Sequence, residues 1–251
     1  YDDRILIEKD NLILTNYNSE EVVLKSSGSR YGMELTGDNL IIDGFTLDGF
    51  AAGVTFGKES TQENLILKNI KVKNSGEGFT GVYGNNQNII LQGGLFKNVS
   101  YEKPDTSGYV IGLHCGGPPC HDLRIVQANI NLTGSSGGGS GADGIAMERG
   151  NNILIENSIV QGASADGIDL KASQVAVVNS IVQHIDRNGI KFWQGGDIIN
   201  SISTDTGADA AIVFDGAGDY RIINSVIAYH NKNGQNSFTA TFGYGVDGNP
   251  S

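Results

Sequence analysis

The second half of the chain repeats itself at a nearly fixed step. Gly144-Ile145-Ala146-Met147-Glu148 recurs as Gly167-Ile168-Asp169-Leu170-Lys171, then as Gly189-Ile190-Lys191-Phe192-Trp193, then as Ala211-Ile212-Val213-Phe214-Asp215, at steps of 23, 22 and 22 residues. A second strand follows each with an Asn in a matching place: Asn157, Asn179, Asn200 and Asn224. Self-similarity at this period marks a solenoid, in which each repeat buries its apolar face only by stacking on its neighbours. No window holds a 3.6-residue apolar period for a dozen residues, so helical repeats are set aside. Short β-branched strands broken by Gly and polar residues predict an all-β chain, a right-handed parallel β-helix of roughly ten coils. The repeated Asn suits a coil corner, because it tolerates left-handed backbone and its amide can bond the Asn of the next coil.

The first half follows the same rule with longer loops. Gly32, Gly53, Gly81 and Gly112 are read as the matching strand starts, and the loops swell between Lys97 and Tyr109 and between Thr133 and Asp143. No linker breaks the pattern, so residues 1–251 are read as one domain, with 1–31 as first coil and cap.

Composition narrows the partners. The chain has 251 residues, a net charge of -11, 18% charged residues, and 36 Gly against 4 Pro. Such acidity argues against nucleic acid, which is gripped by Lys and Arg, while leaving room for an acidic polymer bridged by a cation. No stretch approaches the roughly 18 consecutive apolar residues of a membrane span. Cys115 and Cys120 bracket Gly116-Gly117-Pro118-Pro119 closely enough for a local disulfide, which would suit a secreted protein. The flanking His114 and His121 make a Cys/His metal site the alternative. The chain is expected to be a secreted monomer.

Strand alternation sorts the repeat into columns. Residues one and three places after each Gly are apolar and read as core. Those two places after it read as an outer column of Glu34, Thr55, Tyr83, His114, Ala146, Asp169, Lys191 and Val213. A second outer column holds Glu148, Lys171, Trp193 and Asp215, and a corner column just before each Gly holds Asp143, Asp166, Asn188 and Ala210. Asp143, Asp166 and Asp169 therefore fall within about two coils of one another, at about 4.8 Å per coil, with Lys191 one coil beyond Asp169. Clustered carboxylates of this kind offer hard oxygen ligands suited to Ca²⁺. The plainer reading is that Asp-Gly pairs solvate turns and that Lys171 is a solvated amine.

These residues resemble the family-nine polysaccharide lyases, the β-helical pectate lyases. The likeness rests on Asp143-Gly144, Asp166-Gly167-Ile168-Asp169 and Asn188-Gly189-Ile190-Lys191, close over roughly residues 140–200 and otherwise generic. It implies that Asp143, Asp166 and Asp169 hold calcium and that Lys191 is the base. The pattern departs at Ala165, where the family carries a further Asp. The implied reaction is β-elimination on an acidic, uronic acid-containing polysaccharide, with the lysine removing the C5 proton beside a neutralised carboxylate. Arg187 and His184 precede the Lys191 strand and are candidates to grip a substrate carboxylate; Trp193 and Tyr83 are candidate stacking platforms for sugar rings. Two other readings stand beside it. A β-helical glycoside hydrolase would use a carboxyl pair, Asp143 or Glu148 with Asp166 or Asp169, and a binding β-helix would hold a glycan without cleaving it.

Overall fold

The computed structural model describes residues 4–16, 18, 20–26, 31–56, 61–82, 86–99, 109–114, 120–132, 142–207, 210–228 and 243–244. Three parallel sheets run the length of the chain, one of ten strands and two of nine. Each sheet takes every third strand of the sequence, so the chain winds as a right-handed parallel β-helix with nine complete three-strand coils among the described residues. That is one fewer than the repeat length suggests, because the loops of the first half take up more residues per coil. The core is the stack of inward residues. Ile145, Ile168, Ile190 and Ile212 form one of its columns, paired coil to coil and each 0–1% exposed.

The corners explain the Asn signal. Asn157, Asn179, Asn200 and Asn224 have φ between 47° and 50°, a left-handed conformation that Asn adopts more readily than most residues. Asn224 donates its side-chain amide to Asn200 Oδ1 at 2.8 Å, and Asn64 and Asn88 form a similar ladder up from Asn39. Buried serines add a second ladder. The backbone N–H of Ser158 donates to Ser180 Oγ and that of Ser180 to Ser201 Oγ, each at 3.1 Å. Corner polar groups are thus satisfied by the same residue type one coil away.

Where a glycine opens a strand of the first sheet, it is there for close approach. A Cβ on Gly167 would lie 2.5 Å from Val182 Cγ1 and 2.6 Å from the Gly189 carbonyl, and one on Gly144 would lie 2.6 Å from the Gly167 carbonyl. A side chain there would collide with the neighbouring coil and with the third sheet, so the Asp-Gly pairs are packing features as much as turn signals.

Register confirms the columns in the second half and corrects them in the first. Ala146, Asp169, Lys191 and Val213 pair in sequence across four coils. Upstream, the outer column runs Leu6, Glu34, Thr55, Thr80 and Gly112. Thr80 and Gly112 take the places assigned to Tyr83 and His114. The slip arises because the strand Glu77–Val82 carries both Gly78 and Gly81. Pairing of Phe79 with Val54 and Ile111 selects Gly78 and puts Phe79 in the core, 2% exposed. In the next coil Val110 occupies the glycine position.

Candidate functional site

The strand Ile190–Phe192 places Lys191 outward, directly above Asp169 of the strand Ile168–Leu170. This outer column is not open throughout: Glu34, Thr55, Thr80 and Ala146 are all buried. It opens at Lys191, whose side chain is 15% exposed.

Lys191 is held on two sides. Its Nζ lies 2.8 Å from Asp215 Oδ2, one coil up in the second outer column, and 4.1 Å from the centroid of the Trp193 ring. The indole Nε1 of Trp193 donates to Asp169 Oδ1 at 2.6 Å. Asp169, Trp193, Lys191 and Asp215 therefore form one chain of contacts across three coils. Beside it, the Lys171 ammonium donates to both oxygens of Glu148 at 2.9 Å and lies 5.5 Å from the Trp193 ring. Burial works against the Lys171 charge, but the hydrogen bonds and charge of Glu148 outweigh it and hold the amine above its ordinary value. Lys171 is thus an ion-paired member of the face rather than a solvated amine.

The corner column carries the remaining acids. Asp143 Oδ1 accepts the backbone N–H of Asp166 at 2.9 Å. Asp166 Oδ1 accepts both the backbone N–H of Asn188 at 3.2 Å and its side-chain amide at 2.9 Å. Asp166 and Asn188 are each 4% exposed, and the Asn188 amide oxygen has no hydrogen-bond partner. Burial, reinforced by the charges of Asp166 and Asp169, pushes the Asp143 carboxyl up to about 7, against the Asp166 N–H and the charge of Arg187. Burial likewise holds Asp169 above the ordinary carboxylate range, against the Trp193 hydrogen bond and the charges of Lys171 and Lys191.

The expected three-aspartate calcium site is not assembled. The oxygens suit a hard cation, yet among the described residues no three His, Cys, Asp or Glu side chains stand where they could hold one metal ion. Asp169 is turned to the Trp193 indole, and Asp143 and Asp166 each cap the backbone of the next coil. As arranged, these residues do not fit calcium as a shared ligand set, and the chemistry below rests on the chain's own side chains.

The other candidates divide. Arg187 is exposed in the turn before Asn188, donates its backbone N–H to the Ala165 carbonyl, and lies near enough for its charge to act on Asp143. His184 sits in a strand of the third sheet with φ of 55°, its ring Nδ1 engaged by Asp205 of the following coil. The Trp193 ring already packs against the Lys191 ammonium. Tyr83 lies outside the described residues, as does Cys115. Cys120 is buried and disulfide-bonded, which removes it from any Cys/His metal site, and His121 Nδ1 pairs with Asn151 Oδ1 at 2.5 Å. Asp215 appears in the sequence columns but carries no motif signal; its importance comes from its diagonal contact with Lys191.

No protein-family model matches the chain, and no curated protein matches it. Solved structures do. An alginate lyase from Paenibacillus sp. str. FPU-7 superposes with a TM-score of 0.57 at 15% identity, over 90% of this chain and 87% of that one. The pectate lyase Pel9A gives 0.55 at 12% identity, over 88% of this chain and 64% of that one. The A-module of the Azotobacter vinelandii mannuronan C-5 epimerase AlgE6 gives 0.52 at 14% identity, over 97% and 85%. At such identities the likeness shows the fold, a β-helix shared with proteins named as polysaccharide lyases and an epimerase.

Proposed function

We propose that this chain cleaves an acidic, uronic acid-containing polysaccharide by β-elimination, with Lys191 as the base. The observation that carries the reading is the register of Lys191 on Asp169, which sets an amine on the first-sheet face where that face opens to solvent. Three solved structures of similar fold are named for action on alginate, pectate and mannuronan, and in each such polymer the C5 proton lies beside a carboxylate. Lys191 as the free amine, released from Asp215, takes that proton; the C5–H electron pair forms the C4–C5 double bond as the C4–O bond breaks, and the departing sugar oxygen takes a proton from water. Arg187, a planar cation on the adjoining turn, supports the step by pairing with the substrate carboxylate and neutralising charge as the proton leaves. The disulfide at Cys120 supports a secreted setting.

One observation favours hydrolysis as a second reading. A carboxyl raised to about 7 beside two others is a group suited to act as general acid. The assay separates the two: polygalacturonate and alginate are incubated with the protein, and both ultraviolet absorbance of the unsaturated product and new reducing ends are followed. Elimination gives both signals; hydrolysis gives reducing ends alone. Lys191→Ala is expected to abolish absorbance growth while leaving polymer binding in place. Full activity of that variant, or no turnover of any polyuronide by the unaltered protein, overturns the lyase reading.

A further inference from the structure

We infer that Trp193 is a positioning residue for Lys191 and that Asp169 serves to anchor Trp193; the inference rests on the reading of Lys191 as base. A lysine ammonium rides on a flexible four-carbon stem with many rotamers, and a base must be held close to one position to be effective. Here the stem ends between two fixed groups, the Trp193 ring at 4.1 Å and the Asp215 carboxylate at 2.8 Å. The ring is fixed in turn, because its Nε1 donates to Asp169 at 2.6 Å. A charge-assisted hydrogen bond of this length is directional and sets the plane of the indole.

The arrangement explains two features that the expected site leaves over. Asp169 is a carboxylate only 8% exposed, with Ala146 below it and Lys191 above it in the column. The described hydrogen bond to its side chain comes from the indole. A free stacking platform for a sugar offers an open ring face, whereas this ring has the Lys191 ammonium packed against it and the Lys171 ammonium at 5.5 Å. The ring thus works as a wall for the base.

Trp193 is the only tryptophan in the chain, so fluorescence excited on the long-wavelength side of the tyrosine absorption reports on this ring alone. Acrylamide quenching is measured without substrate on the unaltered protein and on Asp169→Ala, Asp169→Asn and Lys191→Met. Kinetics on a cleaved polyuronide are measured for Asp169→Ala, Asp169→Asn and Trp193→Phe. Quenching is expected to rise in Asp169→Ala and less in Asp169→Asn, which keeps an acceptor oxygen, and the emission maximum to shift in Lys191→Met as the charge over the ring is lost. Asp169→Ala and Trp193→Phe are expected to lose about a hundredfold in kcat, the scale of a small misplacement at a reacting centre, with KM unchanged and partial rescue in Asp169→Asn. Unchanged quenching in Asp169→Ala overturns the inference. So does Trp193→Phe with a raised KM and full kcat, the signature of a sugar platform. If no polyuronide is cleaved, the base reading falls, and the fluorescence arms by themselves decide whether Asp169 and Lys191 hold this ring. Should Asp169→Ala fail to fold, Asp169→Asn with the Lys191→Met emission shift takes its place.

Discussion

Replacing Asp143 by Asn should make the protein more stable, and increasingly so as the pH rises. In the folded chain the carboxyl is pushed up to about 7 by burial, with the charges of Asp166 and Asp169 adding to it, whereas in the unfolded chain it ionises near the ordinary 3.8. A group with a raised folded pKa favours the folded state most below its unfolded pKa, and that contribution is lost as the pH climbs through the folded value. At about 1.4 kcal/mol per pH unit, the full rise corresponds to roughly 4 kcal/mol at most, reached above about pH 7. Asn keeps an oxygen for the Asp166 N–H that Asp143 Oδ1 now accepts, so the change removes the ionisation and spares the hydrogen bond. The measurement is urea unfolding of both proteins, followed by circular dichroism, at about pH 4 and about pH 8, with the stability difference compared between them. That difference should be small in acid and grow toward the alkaline side, appearing as roughly 2 to 4 °C in Tm per kcal/mol for a chain of this size. A difference that stays flat with pH, or that shrinks as pH rises, refutes the burial argument for this corner.

Three further outcomes follow from the packing. Gly167→Ala should cost about 1–3 kcal/mol, because the new Cβ meets Val182 and the Gly189 carbonyl; a thermal melt within error of the unaltered protein contradicts the close-approach reading. Asn200→Ala should destabilise more than Asn200→Gly, by about 1 kcal/mol, since Asn200 has φ of 49° and only the Ala variant must strain to keep it; equal urea midpoints for the two count against it. Chelator followed by excess calcium should leave Tm unchanged, because the acids do not form a shared ligand set; a calcium-dependent rise of several degrees reverses the assignment of Asp169 to Trp193.

The second half of this fold was legible because its period is regular. With Gly144, Gly167 and Gly189 spaced by 22 or 23 residues, counting two places on from each glycine lands on Ala146, Asp169 and Lys191, which do stack. The first half misled for a physical reason. A glycine is needed only where a neighbouring backbone or side chain comes close, and in the coil of Tyr109–His114 the position is filled by Val110, so counting from Gly112 shifts the column by two. Backbone columns follow from the period, but long side chains cross between columns. The reach of Trp193 back to Asp169, and of Lys191 up to Asp215, are diagonal contacts chosen by rotamer and by local charge, and no spacing rule encodes them. The same holds for the three aspartates: the period brings their coils together, while side-chain contacts turn Asp169 to Trp193 and set Asp143 and Asp166 on the backbone of the next coil.

Charge along the stack shows where this fold carries groups it does not need for stability. Stacked neighbours sit about 4.8 Å apart, so two like charges in one column repel by roughly 3 kcal/mol at an effective dielectric of about 20. In the outer columns the chain answers with opposite signs, Glu148 with Lys171 and Lys191 with Asp215. In the corner column it does not. Asp143 and Asp166 are adjacent carboxylates, eased by backbone and amide donors from the next coil and, at Asp143, by the charge of Arg187; burial first, and the neighbouring acids after it, still leave Asp143 raised. Ala210, one coil beyond Asn188 in the same column, shows that a small neutral residue fills such a corner without difficulty. A fold that can place alanine there and instead keeps a buried acid and a half-buried one is giving up stability at a corner beside the stretch of outer face that carries Lys191. Perturbed titratable groups kept against stability are characteristic of sites that act on something else, and this corner lies one turn from Lys191.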